Sequence, residues 1–364
     1  MKYFCPVVFA LMILVSPLSA TATVQYEEDT LKKYTWAAFP IVFYQPETNW
    51  AFGLVGAINF RWKNQEESMK PSQIQMLFGY TLEKQIIAYL PFSLYSNREN
   101  WWVKGEMGYY RYFYRFYDLG NQTLNEQREN YRADFPEFRL SVYRLLGGNF
   151  YLGVGLGFDQ MKISDLDSEG VLIDENITGY TGGQVFRWGI NVVYDSRDYI
   201  FYPSEGIYLN ASIDHSNTNL WSDYTFSKFK LEGVKYNQLN SHIIWVNGVF
   251  FEGSTSQTPF YEMALLGGPK WMRGYYEGRF RDLYSLGYQS EVRFKVYKRF
   301  GMVAFGGLGN VFGEYSTSYF DGLKWTAGAG LRVQIDRKNQ LNVRLDYALG
   351  KNTSGFYLTV GEAF

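Results

Sequence analysis

The sequence predicts an all-β protein, a transmembrane antiparallel β-barrel of about 16 strands. Three observations support this class: an export signal at the amino terminus, period-two alternation of bulky and polar side chains, and no later apolar run long enough for a membrane helix. The composition agrees, because 20% aromatic residues and 36 glycines suit strands and tight turns better than helices. The formal net charge of −1 argues against nucleic acid as a partner, since phosphate binding needs a clustered basic excess.

Residues 1–22, MKYFCPVVFALMILVSPLSATA, are predicted to be a signal peptide. They combine one lysine, an apolar stretch and small residues at Ala20 and Ala22, which together fit an A-x-A cleavage site. The only cysteine, Cys5, would leave with this segment, so the mature chain would have no thiol for a disulfide or a thiolate metal site. A buried first helix is the alternative interpretation of this apolar stretch.

The barrel is predicted over residues 37–364, after a short periplasmic segment at 23–36. In QVFRWGINVVYD, for example, bulky Phe186 and Trp188 lie on one face of the strand and Arg187 lies on the other. The signal peptide and the aromatic strand ends favour lipid on the bulky face and water on the charged face. The number of such segments is even, as in single-chain bacterial barrels. The predicted strands are 37–45, 50–62, 71–81, 85–95, 99–113, 133–146, 149–162, 182–196, 205–215, 223–239, 241–253, 285–298, 301–311, 321–336, 340–350 and 355–364.

The lengths of the connections predict the topology. Long links near 114–132, 162–181 and 254–284 mostly alternate with tight ones. This alternation separates an extracellular rim from a periplasmic rim and places both termini in the periplasm. The links at 63–70 and 197–204 are periplasmic exceptions of moderate length.

Several segments resemble the BamA/TamA superfamily, the bacterial surface antigen barrels that insert or translocate proteins. The match is close over most of 182–364 and looser in the first half, and the order of the motifs makes it specific. The matching segments are YDSRDYIFYPSEGIYLN (194–210), WMRGYYEGRFRD (271–282), GAGLRVQI (328–335), VRLDYALG (343–350), GFYLTVGEAF (355–364) and the loop motif FYDLGN (116–121).

The resemblance implies that the long sixth extracellular loop folds back into the barrel lumen. Its tip would be Arg273, Gly274 and Tyr275, within the stretch LLGGPKWMRGYYEGRFRD, which does not alternate as the strands do. Glycine allows a turn conformation that other residues resist, and a buried arginine needs a carboxylate partner. A solvent-exposed charged loop is the alternative. The inner-wall residues expected to meet the tip are Asp346 first, Glu291 second, and Arg344 beside them.

Two features depart from the superfamily pattern. Gly307 stands where relatives usually carry an acidic residue, so one contact of the loop-tip arginine is expected to be missing. Only residues 23–36 precede the first predicted strand after the signal peptide, which is too short for a periplasmic POTRA domain. The expectation is therefore a POTRA-less member of the superfamily.

The first and last predicted strands, containing FPIVFYQ and GFYLTVGEAF, are expected to close the barrel through a weak lateral seam. Pro40 in the first strand and Gly361 in the last should reduce the hydrogen bonding there. The chain ends on Phe364, the kind of terminal aromatic residue that the barrel-insertion machinery recognises in many outer-membrane proteins. By resemblance, the protein would insert or move proteins or lipids, and the seam would take part.

No catalytic residue, metal site or cofactor is expected. His215 and His242 are the only histidines, and the predicted topology places them at opposite rims, roughly 25 Å apart. They are therefore too far apart to share a metal ion or a catalytic triad. A dyad of His215 with Ser212 or Ser216 stays open as an alternative.

The expected location is the bacterial outer membrane. The expected partners are outer-membrane lipid and an unfolded outer-membrane protein or lipid client, with a homodimer as a further expectation. Inward-facing charges of both signs favour a hydrated or plugged lumen over a selective ion pathway. Two other functions stay open: a passive solute pore, and a non-catalytic membrane scaffold that acts as a homo-oligomer.

Overall fold

The computed structural model describes residues 34–63, 65, 69–316, 318–336 and 340–364, and the predicted signal peptide lies outside them. In this part of the chain, 16 antiparallel strands close into one barrel, so the predicted fold class and strand number are confirmed. No helix within these residues is long and apolar enough to cross a membrane. The barrel strands are β1 (Tyr34–Gln45), β2 (Asn49–Phe60), β3 (Ser72–Thr81), β4 (Ile86–Tyr95), β5 (Trp101–Phe116), β6 (Glu129–Gly147), β7 (Phe150–Ser164), β8 (Gly182–Asp195), β9 (Gly206–Ser216), β10 (Phe226–Asn240), β11 (Ile243–Ser254), β14 (Tyr284–Tyr297), β15 (Phe300–Phe312), β16 (Lys324–Asp336), β17 (Leu341–Gly350) and β18 (Thr353–Val360).

A few short elements lie outside the barrel wall. The helix α1 (Val171–Asp174) is part of the loop between β7 and β8. The loop between β11 and β14 contains one 3-10 turn (Phe260–Glu262) and a ribbon formed by β12 (Ala264–Leu266) and β13 (Phe280–Asp282). This loop, residues 255–283, is called loop 6 below.

Alternation along the strands separates a lipid-facing wall from a luminal wall. On β7, Val154 and Leu156 point outward and are 63% and 47% exposed, whereas Gly153 faces inward and is buried. A Cβ atom on Gly153 would lie 2.5 Å from the ring of Tyr143. The luminal aromatic side chain therefore lies flat against a glycine, while the outward apolar side chains are placed to meet lipid.

Long and tight connections mostly alternate along the chain, although the turns at 46–48, 82–85 and 351–352 are short and the links at 61–71 and 196–205 are of moderate length. Tight turns join β6 to β7, β10 to β11 and β14 to β15 at one end of the barrel, and the long links at 117–128, 165–181 and 255–283 lie at the other end. We refer to the end with the long loops as the extracellular end, following the prediction from the sequence.

The last strand ends earlier than the sequence predicted. β18 stops at Val360, so the prediction of a strand over 355–364 is wrong for its final residues. Gly361 adopts a φ of +90°, a conformation that favours glycine. Its N–H still donates to the carbonyl oxygen of Asn342 (2.8 Å), and the chain then leaves the barrel wall.

The barrel closes between β1 and β18 through a short pairing. One residue pair, Tyr44 with Leu358, joins these strands, whereas 12 pairs join β1 to β2 and eight pairs join β17 to β18. Tyr44 is the penultimate residue of β1, so the longer, periplasmic part of this strand forms no residue pair with β18. Pro40 lies in that part, opposite Leu54 of β2.

Candidate functional site

Loop 6 enters the lumen and packs against its inner wall. The side chains of Met272, Arg273 and Tyr275 are 0%, 0% and 1% exposed, although they belong to a loop that starts at the extracellular rim. Met272 and Tyr275 pack in one apolar cluster with Phe250 of the β11 wall. The loop thus takes the luminal position that the resemblance implied.

Arg273 is held by two carboxylates and one aromatic ring. Its Nη1 lies 2.5 Å from Oδ2 of Asp346, and its Nη2 lies 2.5 Å from Oε2 of Glu291. The guanidinium also stacks over the ring of Phe305 with 3.4 Å to the centroid. Charge-assisted hydrogen bonds and a ring face together offset the desolvation of a fully buried guanidinium. Phe305 was not predicted, and it lies on the same luminal face of β15 as Gly307, where an acidic residue would have been expected.

The two carboxylates that bind Arg273 are themselves shared with other arginines. Asp346 accepts from Arg332 through its Oδ1 atom (2.5 Å), and Glu291 accepts from Arg293 through its Oε1 atom (2.8 Å). All of these side chains are at most 3% exposed. The tip of loop 6 is therefore bound into a network of alternating charges that spans β14, β16 and β17.

Arg344 contacts the loop in a different way from the two acids. Its Nη2 donates to the carbonyl oxygen of Pro269 in loop 6 (3.2 Å), and its Nε donates to the hydroxyl of Thr359 (2.8 Å). Its Nε also lies 3.7 Å from Asp346. Arg344 therefore positions the loop backbone and the shared acid and does not pair with Arg273.

Gly274 brings the loop backbone against the last two strands. It adopts a φ of +104°, and a Cβ atom there would meet the backbone of Ala348 and Leu349 at 3.1–3.3 Å. Its N–H donates to the hydroxyl of Tyr357 (2.9 Å), and its carbonyl oxygen accepts from the hydroxyl of Thr353 (2.8 Å). A side chain at this position would be strained in conformation and crowded in space.

Tyr275 completes the contact of the tip with the wall. Its hydroxyl donates to the carbonyl oxygen of Trp325 (3.0 Å) and accepts from the backbone N–H of Lys351 (2.8 Å). The predicted loop-tip residues thus lie against β16, β17 and β18, immediately beside the seam.

Phe364 lies in the lumen, which corrects its assignment to the lateral seam. Its ring stacks on Trp271 of loop 6 with 4.8 Å between centroids, and its main-chain oxygen accepts from Nη2 of Arg293 (2.8 Å). The turn at Gly361 directs the end of the chain inward. The other two predicted seam residues belong to the seam strands or adjoin them. Pro40 lies in the part of β1 that does not pair with β18, and Gly361 directly follows the last residue of β18.

A second ionic cluster fixes the outer part of loop 6. Glu262 in the 3-10 turn accepts from Nη1 of Arg187 (2.6 Å) and from Nζ of Lys228 (2.6 Å), and Arg187 also pairs with Asp159. These partners come from β7, β8 and β10. Glu262 was not predicted from the sequence, where its only signal is a single acid in the otherwise uncharged segment TPFYEM.

Loop 6 also contacts the FYDLGN segment at the extracellular end. Arg279 donates to the hydroxyl and carbonyl oxygens of Thr123 (2.6 and 2.8 Å), and Gly120 forms a backbone bridge with Arg281. Nζ of Lys324 donates to the carbonyl oxygen of Asn121 (2.7 Å). The FYDLGN segment and the residues that follow it therefore pack against loop 6 at the extracellular end of the barrel.

The β1–β2 turn makes a polar contact with loop 6. The carboxylate of Glu47 accepts a hydrogen bond from the backbone N–H of Glu277 (2.8 Å). Burial, reinforced by the charge of Glu277, raises the pKa of Glu47 to about 7. This contact couples the strand on one side of the seam to the luminal loop.

We expect the folded protein to lose stability as the pH rises through about 7, because burial and the charge of Glu277 oppose ionisation of Glu47. The pKa of Glu47 in the folded protein lies above its ordinary value of 4.5, so the folded state binds this proton more tightly than the unfolded chain. The stability that protonation of Glu47 gives is complete below the unfolded-state pKa and is lost as the carboxyl group ionises in the folded protein. Glu47→Gln should therefore gain thermal stability relative to the wild type between about pH 5 and pH 9.

The matched control is Glu83→Gln, which changes an exposed acid in the β3–β4 turn of the same rim. Its unfolding temperature should follow that of the wild type at every pH. A difference between Glu47→Gln and wild type that stays constant with pH would contradict the assignment.

His215 does not pair with either serine of the alternative dyad. Its Nδ1 lies 3.0 Å from the hydroxyl of Ser227 on β10. The hydroxyl of Ser216 bonds Ser222 and that of Ser212 bonds Asp214, so the alternative dyad is not formed. The physical reason is that Ser212 and Ser216 point to the opposite face of β9 from His215. His242 lies in the tight turn between β10 and β11.

The fold and the luminal loop together define an outer-membrane barrel plugged by its own sixth loop. A family model of the Omp85 superfamily domain matches residues 90–364. The chain belongs to the Omp85 superfamily, which implies an outer-membrane location, and the resemblance to BamA noted in the sequence is confirmed at the level of the family.

Solved structures give the same fold at low sequence identity. BamA from Haemophilus ducreyi lacking POTRA domains 1–3 is 12% identical, with a TM-score of 0.61 over 90% of this chain and 70% of that one. CdiB from Escherichia coli is also 12% identical, with a TM-score of 0.62 over 92% of this chain and 63% of that one. CdiB from Acinetobacter baumannii is 12% identical, with a TM-score of 0.56 over 91% of this chain and 60% of that one. The chain thus spans between 60% and 70% of the length of these three structures. Among curated proteins, no sequence matches this chain.

Proposed function

We propose that this barrel inserts outer-membrane proteins, or moves lipids, by opening laterally between β1 and β18. The observation that carries the proposal is the closing pair of strands, which is joined by the single residue pair Tyr44 and Leu358. Separating these strands breaks fewer backbone hydrogen bonds than separating any other neighbours in the described barrel. An edge strand freed in this way offers unpaired N–H and C=O groups to a client strand.

The position of loop 6 supports the same role. Its tip bonds Tyr357 and Thr353 on β18 through the backbone of Gly274, and Glu277, two residues after the tip, bonds Glu47 in the turn after β1. The last strand and the turn that follows the first strand therefore contact the same loop. A movement of loop 6 would change the support of both seam strands at once. The position of the loop would therefore control the proposed lateral opening between β1 and β18.

The client is proposed to be an unfolded outer-membrane protein, with lipid as the alternative. The proposed role is non-catalytic: strand pairing at a weak seam would lower the barrier to insertion without covalent chemistry. A homodimer is a further proposal, for which the exposed outer wall supplies the surface.

The test uses the purified protein in phospholipid vesicles. A urea-unfolded eight-stranded barrel serves as the client, and its insertion is followed by the heat-modifiable shift on gels. We expect faster insertion than in protein-free vesicles. Equal rates with and without the protein would remove the insertase role, and a parallel assay of fluorescent phospholipid transfer between leaflets tests the lipid alternative. If both assays show no effect, the scaffold interpretation takes precedence.

A passive solute pore is the rival function, and the plug argues against it. Loop 6 places fully buried side chains, including Arg273 and Met272, inside the lumen. We therefore expect a closed or flickering conductance in planar bilayers. A steady, wide conductance would favour the pore.

A further inference from the structure

A cavity in the lumen lies between loop 6, the β1–β2 turn and the walls of β5 and β6. Its volume is about 230 Å³. Carboxylates and phenol rings dominate its lining, which includes no lysine or arginine among the residues that the structure describes. Three carboxylates and three tyrosines of this lining are Glu47, Glu137, Glu277, Tyr110, Tyr112 and Tyr114.

Two of the three carboxylates at this cavity form no close ion pair within the described residues, although Arg115 acts on Glu47 and Arg281 and Lys230 act on Glu277 at longer range. Glu137 pairs with Arg139 (2.6 Å), but neither Glu47 nor Glu277 forms an ion pair with the described residues. One carboxylate oxygen of Glu47, Oε2, is buried and has no hydrogen-bond partner there. The side chain of Glu277 is exposed to the cavity. An unpaired, buried carboxylate oxygen is costly and marks a place where a positive group would be bound favourably.

Tyrosines of β5 line another side of the cavity. The rings of Tyr110, Tyr112 and Tyr114 form a ladder along the luminal face of β5, with centroids 6.1 and 5.3 Å apart. Because the rings of this ladder lie over one another, their faces are largely covered and their edges and hydroxyl groups are left to border the cavity. Tyr276 of loop 6 borders the same space, and the guanidinium of Arg115 lies over its ring, 5.1 Å from the centroid.

We propose that this cavity binds an organic cation, with the ammonium or guanidinium group between the carboxylates of Glu47 and Glu277 and the tyrosine ladder. The carboxylates supply the charge, and the phenol edges and hydroxyl groups supply a surface for the polar group and the methylene groups of the cation. The cavity has room for a short diamine or for one lysine or arginine side chain, and not for a folded segment. The two sources, a free small molecule and a side chain of a client, share this chemistry.

The test measures binding to the full chain in detergent micelles by titration calorimetry. The probes are putrescine, its diacetylated form without charge, and a short peptide with one lysine between glycines. Putrescine or the lysine peptide should bind, and diacetylputrescine should not. Glu277→Gln and Glu47→Gln should each weaken binding about tenfold, because each removes a hydrogen bond to a charged group. Glu83→Gln, an exposed acid on the same rim, should bind as the wild type does.

Proton release gives a second readout that separates a specific site from general attraction. Because a cation favours the ionised form of Glu47, binding near neutral pH should release protons, and repeating the titration in buffers of different ionisation enthalpy should reveal them. Glu47→Gln should abolish this release while the heat-modifiable barrel stays intact. Binding of putrescine alone would assign the site to a free cation, and binding of the peptide alone would assign it to a client side chain. Binding of neither probe, or equal binding of the diacetylated form, would overturn the proposal.

Discussion

Replacing Arg273 by alanine is expected to release loop 6 from the barrel wall and to lower the free energy of unfolding by about 3–5 kcal/mol. The substitution removes both ion pairs, with Asp346 and Glu291, and leaves a cavity over the ring of Phe305. Asp346 and Glu291 would stay buried without the hydrogen bonds from Arg273, and a buried charge that lacks a donor lowers the stability of the folded state. Urea unfolding, followed by the heat-modifiable shift, measures the loss.

Two variants make this prediction specific. Arg273→Lys keeps the charge but loses the two-pronged guanidinium, so it should lose part of the stability. Arg279→Ala removes a guanidinium from the same loop whose partners are the neutral groups of Thr123 and Asn125, so its loss should be smaller. If Arg273→Ala leaves both the unfolding curve and the protease resistance of loop 6 unchanged, the anchoring role is wrong.

A disulfide between residues 44 and 358 is expected to return client insertion to the protein-free rate. The double variant Tyr44→Cys/Leu358→Cys joins the only residue pair of the seam. Opposed residues in an antiparallel pair have Cα atoms about 4.5–5.5 Å apart, which is within the range that a disulfide bridges. The only natural cysteine, Cys5, lies in the predicted signal peptide, so the background is expected to be free of thiols. Reduction should restore insertion.

The matched control joins β1 to its other neighbour. Tyr44→Cys/Trp50→Cys uses the same residue of β1 and a position that is already part of a full ladder of 12 pairs. This bridge should form and leave insertion unchanged. Full insertion activity with the oxidised 44–358 bridge would show that the seam does not open during function.

The wall of the barrel could be predicted from the sequence because its causes are local. Side chains of a strand alternate between faces, so Phe186, Arg187 and Trp188 indicate both the strand and its orientation without knowledge of any neighbour. The charged residues of β14 and β17 were assigned to the lumen for the same reason. The prediction failed at the last strand, where the side-chain pattern continues past Val360 but the positive φ of Gly361 turns the chain inward.

The contacts across the lumen could not be predicted in the same way. Phe305 and Glu262 are far in sequence from the residues they touch, and neither belongs to a recognisable motif. The pairing of Arg273 with Asp346 was suggested by a resemblance and by the inward direction of Asp346. The same information also included Arg344, which contacts the loop backbone at Pro269 instead.

The sequence by itself determined the class of protein. An alternating, aromatic-rich chain with a predicted export signal forms a barrel, because in lipid every backbone N–H and C=O group must be hydrogen-bonded within the protein and the outer face must be apolar. The tertiary structure decided where loop 6 lies, which acids share Arg273, how little of β1 pairs with β18, and that Phe364 lies inside. These features depend on distances between residues that are far apart in the chain, and period-two alternation has no information about such distances.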